Sequence, residues 1–220
     1  MSAAQTVLVV DDHPVFREGM VGLLSAEPDL DVVASVSSHR EAMRFLRTQS
    51  VDLCVIDLSL RKSNGLSLVK SISCEWPETR MVVVSMHDDL LYGERAYRAG
   101  ASGYLMKDQP WDVVIQSIRD VLSGRLAFSK QVGKLLSANK PSARSGGRKL
   151  SNRELEVFEL LGSGQSVRNV AVELSVSPKT VESHIASIKR KLEIQNATEL
   201  VHRATLWSAS RLDHSSSPES

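Results

Sequence analysis

The chain has 220 residues, 42% of them hydrophobic and 24% charged, with a formal net charge of +1. That length suits one or two globular domains, and the near-neutral charge neither demands nor excludes a nucleic-acid partner. No apolar run reaches the length of a bilayer span, and no basic stretch followed by an apolar core opens the chain. A cytoplasmic protein without membrane contact is therefore expected.

In chain order, the first part alternates short apolar runs with amphipathic segments. The runs Thr6–Val10, Asp31–Val36, Leu53–Asp57, Met81–Ser85 and Gly103–Met106 are Val/Ile-rich, as central strands covered on both faces should be. The segments Pro14–Ser25, His39–Thr48, Leu66–Cys74, Asp89–Ala99 and Trp111–Leu122 read as helices, with Ser38 and Glu41 a capping box for the second. Five βα units in series predict an α/β fold, a parallel doubly wound sheet with right-handed crossovers. Ser129–Ser137 reads as a further short helix. Asn139–Lys149 then carries two adjacent glycines and only positive charges, a flexible basic linker. Beyond it the pattern is helical throughout: Arg153–Leu161 behind a second capping box, Ser151 and Glu154; Ser166–Leu174; Pro178–Leu192 after the N-cap Ser177; and Ala197–Trp207. The expected domains are 1–125, a linker over 126–149 with the short helix, a small four-helix domain over 150–210, and a disordered tail over 211–220.

The chemistry-bearing residues fall at predicted strand ends. Asp11 and Asp12 follow the first strand, Asp57 ends the third, Ser85 the fourth, and Lys107 follows the fifth. A parallel sheet gathers its strand C-termini at one edge, where such folds place ligands. Three carboxylates there make a hard-oxygen site suited to Mg²⁺. One carboxylate can then attack a phosphoryl group while the metal and the lysine offset its charge. Taken singly, each residue has a plainer reading: Asp11 and Asp12 as helix caps, Asp57 as a turn residue, Tyr104 as a core aromatic. Their agreement across four strand ends points to the site. Cys54 reads as a buried thiol, and His13, His39, His87, His184 and His202 are too scattered for zinc.

Asp11, Asp12, Asp57, Gly65, Ser85, Ala101, Tyr104 and Lys107, in this order over about Thr6 to Leu122, resemble the flavodoxin-like receiver domain of two-component response regulators. The resemblance implies a phosphoacceptor at Asp57, Mg²⁺ held by Asp11, Asp12, Asp57 and the backbone carbonyl of Ser59, and Lys107 against the phosphoryl oxygens. It implies a switch pair, Ser85 turning toward the phosphoryl group and the Tyr104 ring moving inward. The surface expected to change, and to support a dimer, comprises the fourth helix, fifth strand and fifth helix. Ser59 and His87 occupy positions that tune phosphoryl lifetime in the family. Many members have Met-Pro where this chain has Leu60-Arg61, so Arg61 and Lys62 make the loop less restrained and more positive.

The segment Leu150–Trp207 resembles the LuxR-type helix-turn-helix of the NarL/FixJ subfamily. Carrying residues include Glu154, Glu156, Val157, Gly164, Val170, Ala171, Ser177, Pro178, Lys179, Thr180, Val181, His184, Ile188 and Lys191. In Pro178–Leu192, Val181, Ile185, Ile188 and Leu192 form the buried stripe. Opposite it stand Lys179, Ser183, Ala186 and Arg190, flanked by Glu182 and Lys189: small residues amid cations, a pattern suited to a major groove. The resemblance places Lys179, Thr180, His184 and Lys191 near the DNA backbone or in support of the helix, and Glu182, Ser183 and Ala186 toward bases. Glu182 can accept from a cytosine amino group or pair with Lys179 or Lys189. The Lys189, Arg190 and Lys191 cluster can equally compensate the helix dipole.

The expected function is a phosphorylation-switched DNA-binding transcription regulator. Its expected partners are a cognate histidine kinase, promoter DNA and a second copy of the chain, with RNA polymerase a candidate. No enzymatic activity is expected beyond a receiver's own phosphorylation and dephosphorylation. A haloacid-dehalogenase-like phosphatase would carry a second Asp where Ser59 stands. A receiver serving only as an interaction module, independent of phosphorylation, is the remaining alternative.

Overall fold

The computed structural model describes residues 3–60, 64–138 and 150–212. The chain divides into two compact units, Met1–Lys140 and Pro141–Ser220.

The first unit opens with β1 (Gln5–Val10) and α1 (Pro14–Ser25), then β2 (Leu30–Val36), α2 (His39–Leu46), β3 (Leu53–Ile56) and α3 (Gly65–Glu75). It continues with β4 (Arg80–Ser85), α4 (Asp89–Ala99), β5 (Gly103–Met106), α5 (Trp111–Leu122) and α6 (Lys130–Ala138). All strand pairs are parallel, in the order β2-β1-β3-β4-β5. Val7, Leu8, Val9 and Val10 are all essentially unexposed, as are Leu53, Cys54, Val55 and Ile56, because helices cover both faces of the sheet. Val7, Val9, Val55, Val82, Val84 and Leu105 pack against Met20, Leu24, Ile115, Ile118 and Val121 in one apolar cluster. The expected α/β fold is thus the observed one.

Caps account for several boundaries. The Ser38 hydroxyl accepts the Glu41 N–H, and the Glu41 carboxylate returns to the Ser37 N–H, fixing the start of α2. That helix stops at Leu46, two residues short of the expected Thr48, where Arg47 forms the C-cap. The segment after α5 belongs to the first unit: Ala127 pairs with Gly103 on β5, and α6 packs on α4.

The second unit is all-helical: α7 (Asn152–Gly162), α8 (Val167–Glu173), α9 (Pro178–Leu192) and α10 (Ala197–Leu212). The Ser151–Glu154 capping box forms with both of its bonds. Ser175, at φ +53°, makes the turn between α8 and α9. Leu155, Val157, Val170, Val181, Ile188 and Ala204 close the core, with the Trp207 ring edge-on to Phe158. The last helix runs five residues past the expected Trp207 end, because neither Gly nor Pro interrupts 208–212. Arg211 and Leu212, expected in a disordered tail, are therefore helical. The expected basic linker over 139–149 and the tail beyond Leu212 lie outside the described residues. No helix among the described residues is long and apolar enough to cross a membrane.

Candidate functional site

The strand order reverses direction between β1 and β3, and such sheets place their ligands at the strand C-termini beside that reversal. The backbone sets its rim. The Asp11 N–H donates to the Val36 carbonyl, the Asp57 N–H to Val10 at 2.8 Å, and the Lys107 N–H to Ser85 at 2.9 Å. Each functional side chain thus starts from a residue locked to a neighbouring strand. Gly65 closes the other side, its N–H donating to the Leu58 carbonyl at 2.8 Å. A Cβ at position 65 would stand 2.1 Å from the Asp57 carbonyl oxygen, so only glycine permits this approach.

The structure brings Asp11, Asp12, Asp57 and Lys107 together as expected. The three carboxyl groups are buried, at 3%, 8% and 3% exposure. The Lys107 ammonium lies 2.7 Å from Asp11 Oδ2 and 3.1 Å from Asp57 Oδ2. Burial pushes the Asp57 carboxyl above its ordinary range and the Asp11 charge adds to this, while Lys107 and the Ser59 N–H pull the other way. A ligand atom from each of Asp11, Asp12, His13 and Asp57 lies within 4.8 Å of the others. Three clustered, buried carboxylates fit a hard divalent cation such as Mg²⁺.

His13, read from the sequence only as one of the scattered histidines, joins this site, and Phe16 and Arg17 were not singled out from the sequence. His13 Nδ1 stands 3.0 Å from Asp12 Oδ1 and 3.4 Å from Asp11 Oδ1. Phe16 turns its ring to the Lys107 ammonium, 4.3 Å from the centroid, and is backed by Trp111 at 5.9 Å. Arg17 donates to the Asp11 carbonyl at 2.7 Å. Their signal was position: His13 follows the acidic pair, and Phe16 and Arg17 sit on the first turn of α1.

Ser85 is fully buried, and its hydroxyl accepts the His87 N–H at 3.2 Å. Ser59 and His87 meet directly, hydroxyl to Nε2 at 3.0 Å. The inward movement expected of Tyr104 finds the ring already inside at 3% exposure, its hydroxyl donating to the His87 carbonyl at 2.7 Å. A buried phenol needs a hydrogen-bond partner, and that carbonyl supplies one. Arg61 and Lys62 lie outside the described residues.

In the second unit Ser177 caps α9, accepting the Thr180 N–H at 3.1 Å, with Pro178 at the first helical position. Val181 and Ile188 are buried, Ile185 and Leu192 half-buried. Lys179, Glu182, Ser183, Ala186 and Arg190 are exposed; Thr180, His184 and Lys189 are half-buried. Glu182 forms no ion pair with Lys179 or Lys189 among the described residues, so the intrahelical reading is not realised. Lys191 is engaged within the unit, its ammonium 2.6 Å from the Glu154 carboxylate. That contact ties α9 to α7. Arg153 adds a bond to the Leu174 carbonyl at the end of α8.

Comparison with known proteins agrees with both units. The family model "Response regulator receiver domain" matches residues 7–119, and "Bacterial regulatory proteins, luxR family" matches residues 148–204. The transcriptional regulatory protein UhpA of Salmonella typhimurium is 36% identical over 198 residues, 90% of this chain and 96% of that protein. The oxygen regulatory protein NreC of Staphylococcus haemolyticus is 31% identical, covering 90% and 95%. Among solved structures, RcsB of Salmonella typhimurium has the same fold, with TM-score 0.66 at 23% identity over 93% of this chain and 98% of that one.

Proposed function

The chain belongs to the two-component response regulators that join a receiver domain to a LuxR-type helix-turn-helix domain, and we propose that Asp57 is the phosphoacceptor that switches its binding to DNA. The observation that carries this is the Asp57 carboxylate: buried, 3.1 Å from the Lys107 ammonium and inside an acidic cluster. In the proposed reaction an Asp57 oxygen attacks the phosphorus of a kinase phosphohistidine. The P–O bond forms as the P–N bond breaks, and the histidine nitrogen leaves with the pair. Lys107, released from sharing between Asp57 and Asp11, follows the phosphoryl oxygens. Asp11, Asp12, Asp57 and the Ser59 carbonyl would hold Mg²⁺, which when bound supplies positive charge against the phosphoryl oxygens.

The buried Ser85 hydroxyl is the group placed to respond, by turning from the His87 N–H to a phosphoryl oxygen. Ser59 and His87, bonded to each other, stand as one unit beside the site and govern phosphoryl lifetime. On α9, Lys179, Thr180, His184, Lys189 and Arg190 would meet phosphates, and Glu182, Ser183 and Ala186 base edges. Glu182, unpaired with Lys179 and Lys189 among the described residues, is suited to a cytosine amino group. Lys191 supports the helix from Glu154. Phosphorylated chains would pair, so that two such helices read adjacent half-sites. A cytoplasmic location and an RNA polymerase contact accompany this reading.

Selection from random-sequence DNA tests it, using the full chain with Mg²⁺ and acetyl phosphate. Wild type is expected to enrich paired half-sites only with the phosphodonor, and Asp57→Ala never. Equal enrichment by both proteins would make the receiver a phosphorylation-independent module.

A further inference from the structure

Residues 126–138 lie between the stretches that the two family models match. In the structure they are built into the first unit. Ala127 pairs with the edge strand β5: its carbonyl accepts the Tyr104 N–H at 2.8 Å, and its N–H donates to Ser102 at 2.9 Å. A Cβ at Gly103 would stand 3.0 Å from that Ala127 carbonyl, so glycine allows the approach. The Phe128 ring then meets Tyr97 of α4 edge-on at 5.8 Å. Val132 of α6 is fully buried, and its two methyls lie 3.0 and 3.1 Å from where a Cβ of Gly93 would be. This seat on α4 has no slack for even one methyl group.

The same two elements reach the phosphoacceptor loop. Ser59, two residues from Asp57, holds the His87 imidazole. His87 donates its N–H to Ser85, and its carbonyl takes the Tyr104 hydroxyl. The His87 ring lies 4.9 Å from that of Tyr92, the neighbour of Gly93. Tyr104 thus bonds His87, in the loop between β4 and α4, through its side chain and the Ala127 segment through its backbone.

We propose that α4 and the β5 edge form a docking surface whose occupant is residues 126–138 of the same chain, and that a phosphoryl group on Asp57 loosens this occupant. The second half rests on the phosphoacceptor reading of Asp57. A phosphoryl oxygen that takes the Ser85 hydroxyl withdraws the acceptor of the His87 N–H. The loop and the start of α4 then shift, and Val132 loses its fit over Gly93. Packed interfaces answer such shifts in discrete steps. Release uncovers the α4–β5 face, part of the surface the family resemblance gives to pairing, and frees the segment that leads to the second unit.

Hydrogen exchange on the full chain tests this, with intact mass measured on the same sample. With Mg²⁺ and acetyl phosphate, amides of 129–138 are expected to exchange about tenfold faster in phosphorylated wild type and unchanged in Asp57→Ala. Gly93→Ala is expected to speed the same amides without phosphodonor. Alanine favours the α4 helix itself, so that result could not come from fraying of α4. An adduct with unchanged or slower exchange in 129–138 would overturn the loosening while leaving Asp57 as phosphoacceptor. Unchanged exchange in Gly93→Ala would overturn the seating. Absence of any adduct would overturn the phosphoacceptor reading and the loosening with it.

Discussion

Replacing Glu154 by alanine should unfold the DNA-binding unit at markedly milder conditions while leaving the receiver unit intact. Glu154 is buried and does two things. Its carboxylate takes the Ser151 N–H at 2.6 Å to complete the capping box of α7, and it holds the Lys191 ammonium of α9 at 2.6 Å. Burial alone would raise its pKa, but bonds from Lys191, Ser187 and Ser151 outweigh it and depress the carboxyl from 4.5 to about 2. That depression corresponds to about 3 kcal/mol between the two protonation states. Water reaching the Lys191 ammonium, whose side chain is 34% exposed, screens it to about 2 kcal/mol. The Ser151 bonds of the capping box are already contained in that depression. The expected loss of about 2 kcal/mol would lower the unit's midpoint by roughly 8–16 °C. The folded pKa lies below the unfolded one, so this stability is complete above about pH 4.5 and disappears as pH falls toward 2. Urea unfolding of the full chain, followed by hydrogen exchange in each unit, measures it at pH 7 and pH 3. The pH 7 loss should shrink at pH 3. A loss under about 1 kcal/mol at pH 7, or one independent of pH, would refute the role given to Glu154 and Lys191.

Gly65→Ala should destabilise the receiver unit by about 1–3 kcal/mol and slow phosphoryl uptake, because the added Cβ would meet the Asp57 carbonyl at 2.1 Å; thermal unfolding and adduct formation check both. Asp57→Asn should raise the receiver's unfolding midpoint at pH 7 without metal, since burial lifts the Asp57 pKa and makes its charge unfavourable in the fold. Because that folded pKa is raised, the wild type loses stability as pH climbs through it and the Asn variant does not, a difference a pH series of melts will show. Mg²⁺ at about a hundred times its dissociation constant should stabilise wild type by about 2.7 kcal/mol and the Asn variant by clearly less. Glu193→Gly should stabilise the DNA-binding unit by about 0.5–1 kcal/mol, because Glu193 caps α9 at φ +57°, a conformation glycine adopts without cost; urea melts would register the gain.

What the sequence made readable was what repeats along one element. Val/Ile runs marked the strands most plainly where both faces are buried, as in β1, β3 and β4, while the edge strand β2 is largely half-buried. The caps at Ser38 and Ser151 could be read because their partners lie three residues on, though at Ser38 the Glu41 carboxylate returns to the Ser37 N–H and the full box forms at Ser151. Contacts between distant elements left no such trace. Lys191 finds Glu154 across 37 residues, and Lys107 finds Asp11 across 96. The place of Lys107 followed from strand order, but its Phe16 ring did not, since an aromatic one turn into a helix reads as ordinary core. The Ala127–Val132 segment looked like the start of a linker because a single buried valine makes no periodic stripe. Its seat exists only because Gly93 and Gly103 leave room on elements earlier in the chain.

The measurement that bears most directly on the function is the intact mass of the full chain after treatment with Mg²⁺ and acetyl phosphate, with Asp57→Ala alongside. Wild type is expected to gain one phosphoryl group, to lose it when Mg²⁺ is chelated before the phosphodonor is added, and to form dimers as it is modified. Asp57→Ala is expected to stay unmodified and monomeric. A wild-type mass unchanged by the phosphodonor, or an adduct that persists in Asp57→Ala, would contradict the assignment of Asp57 as the switch.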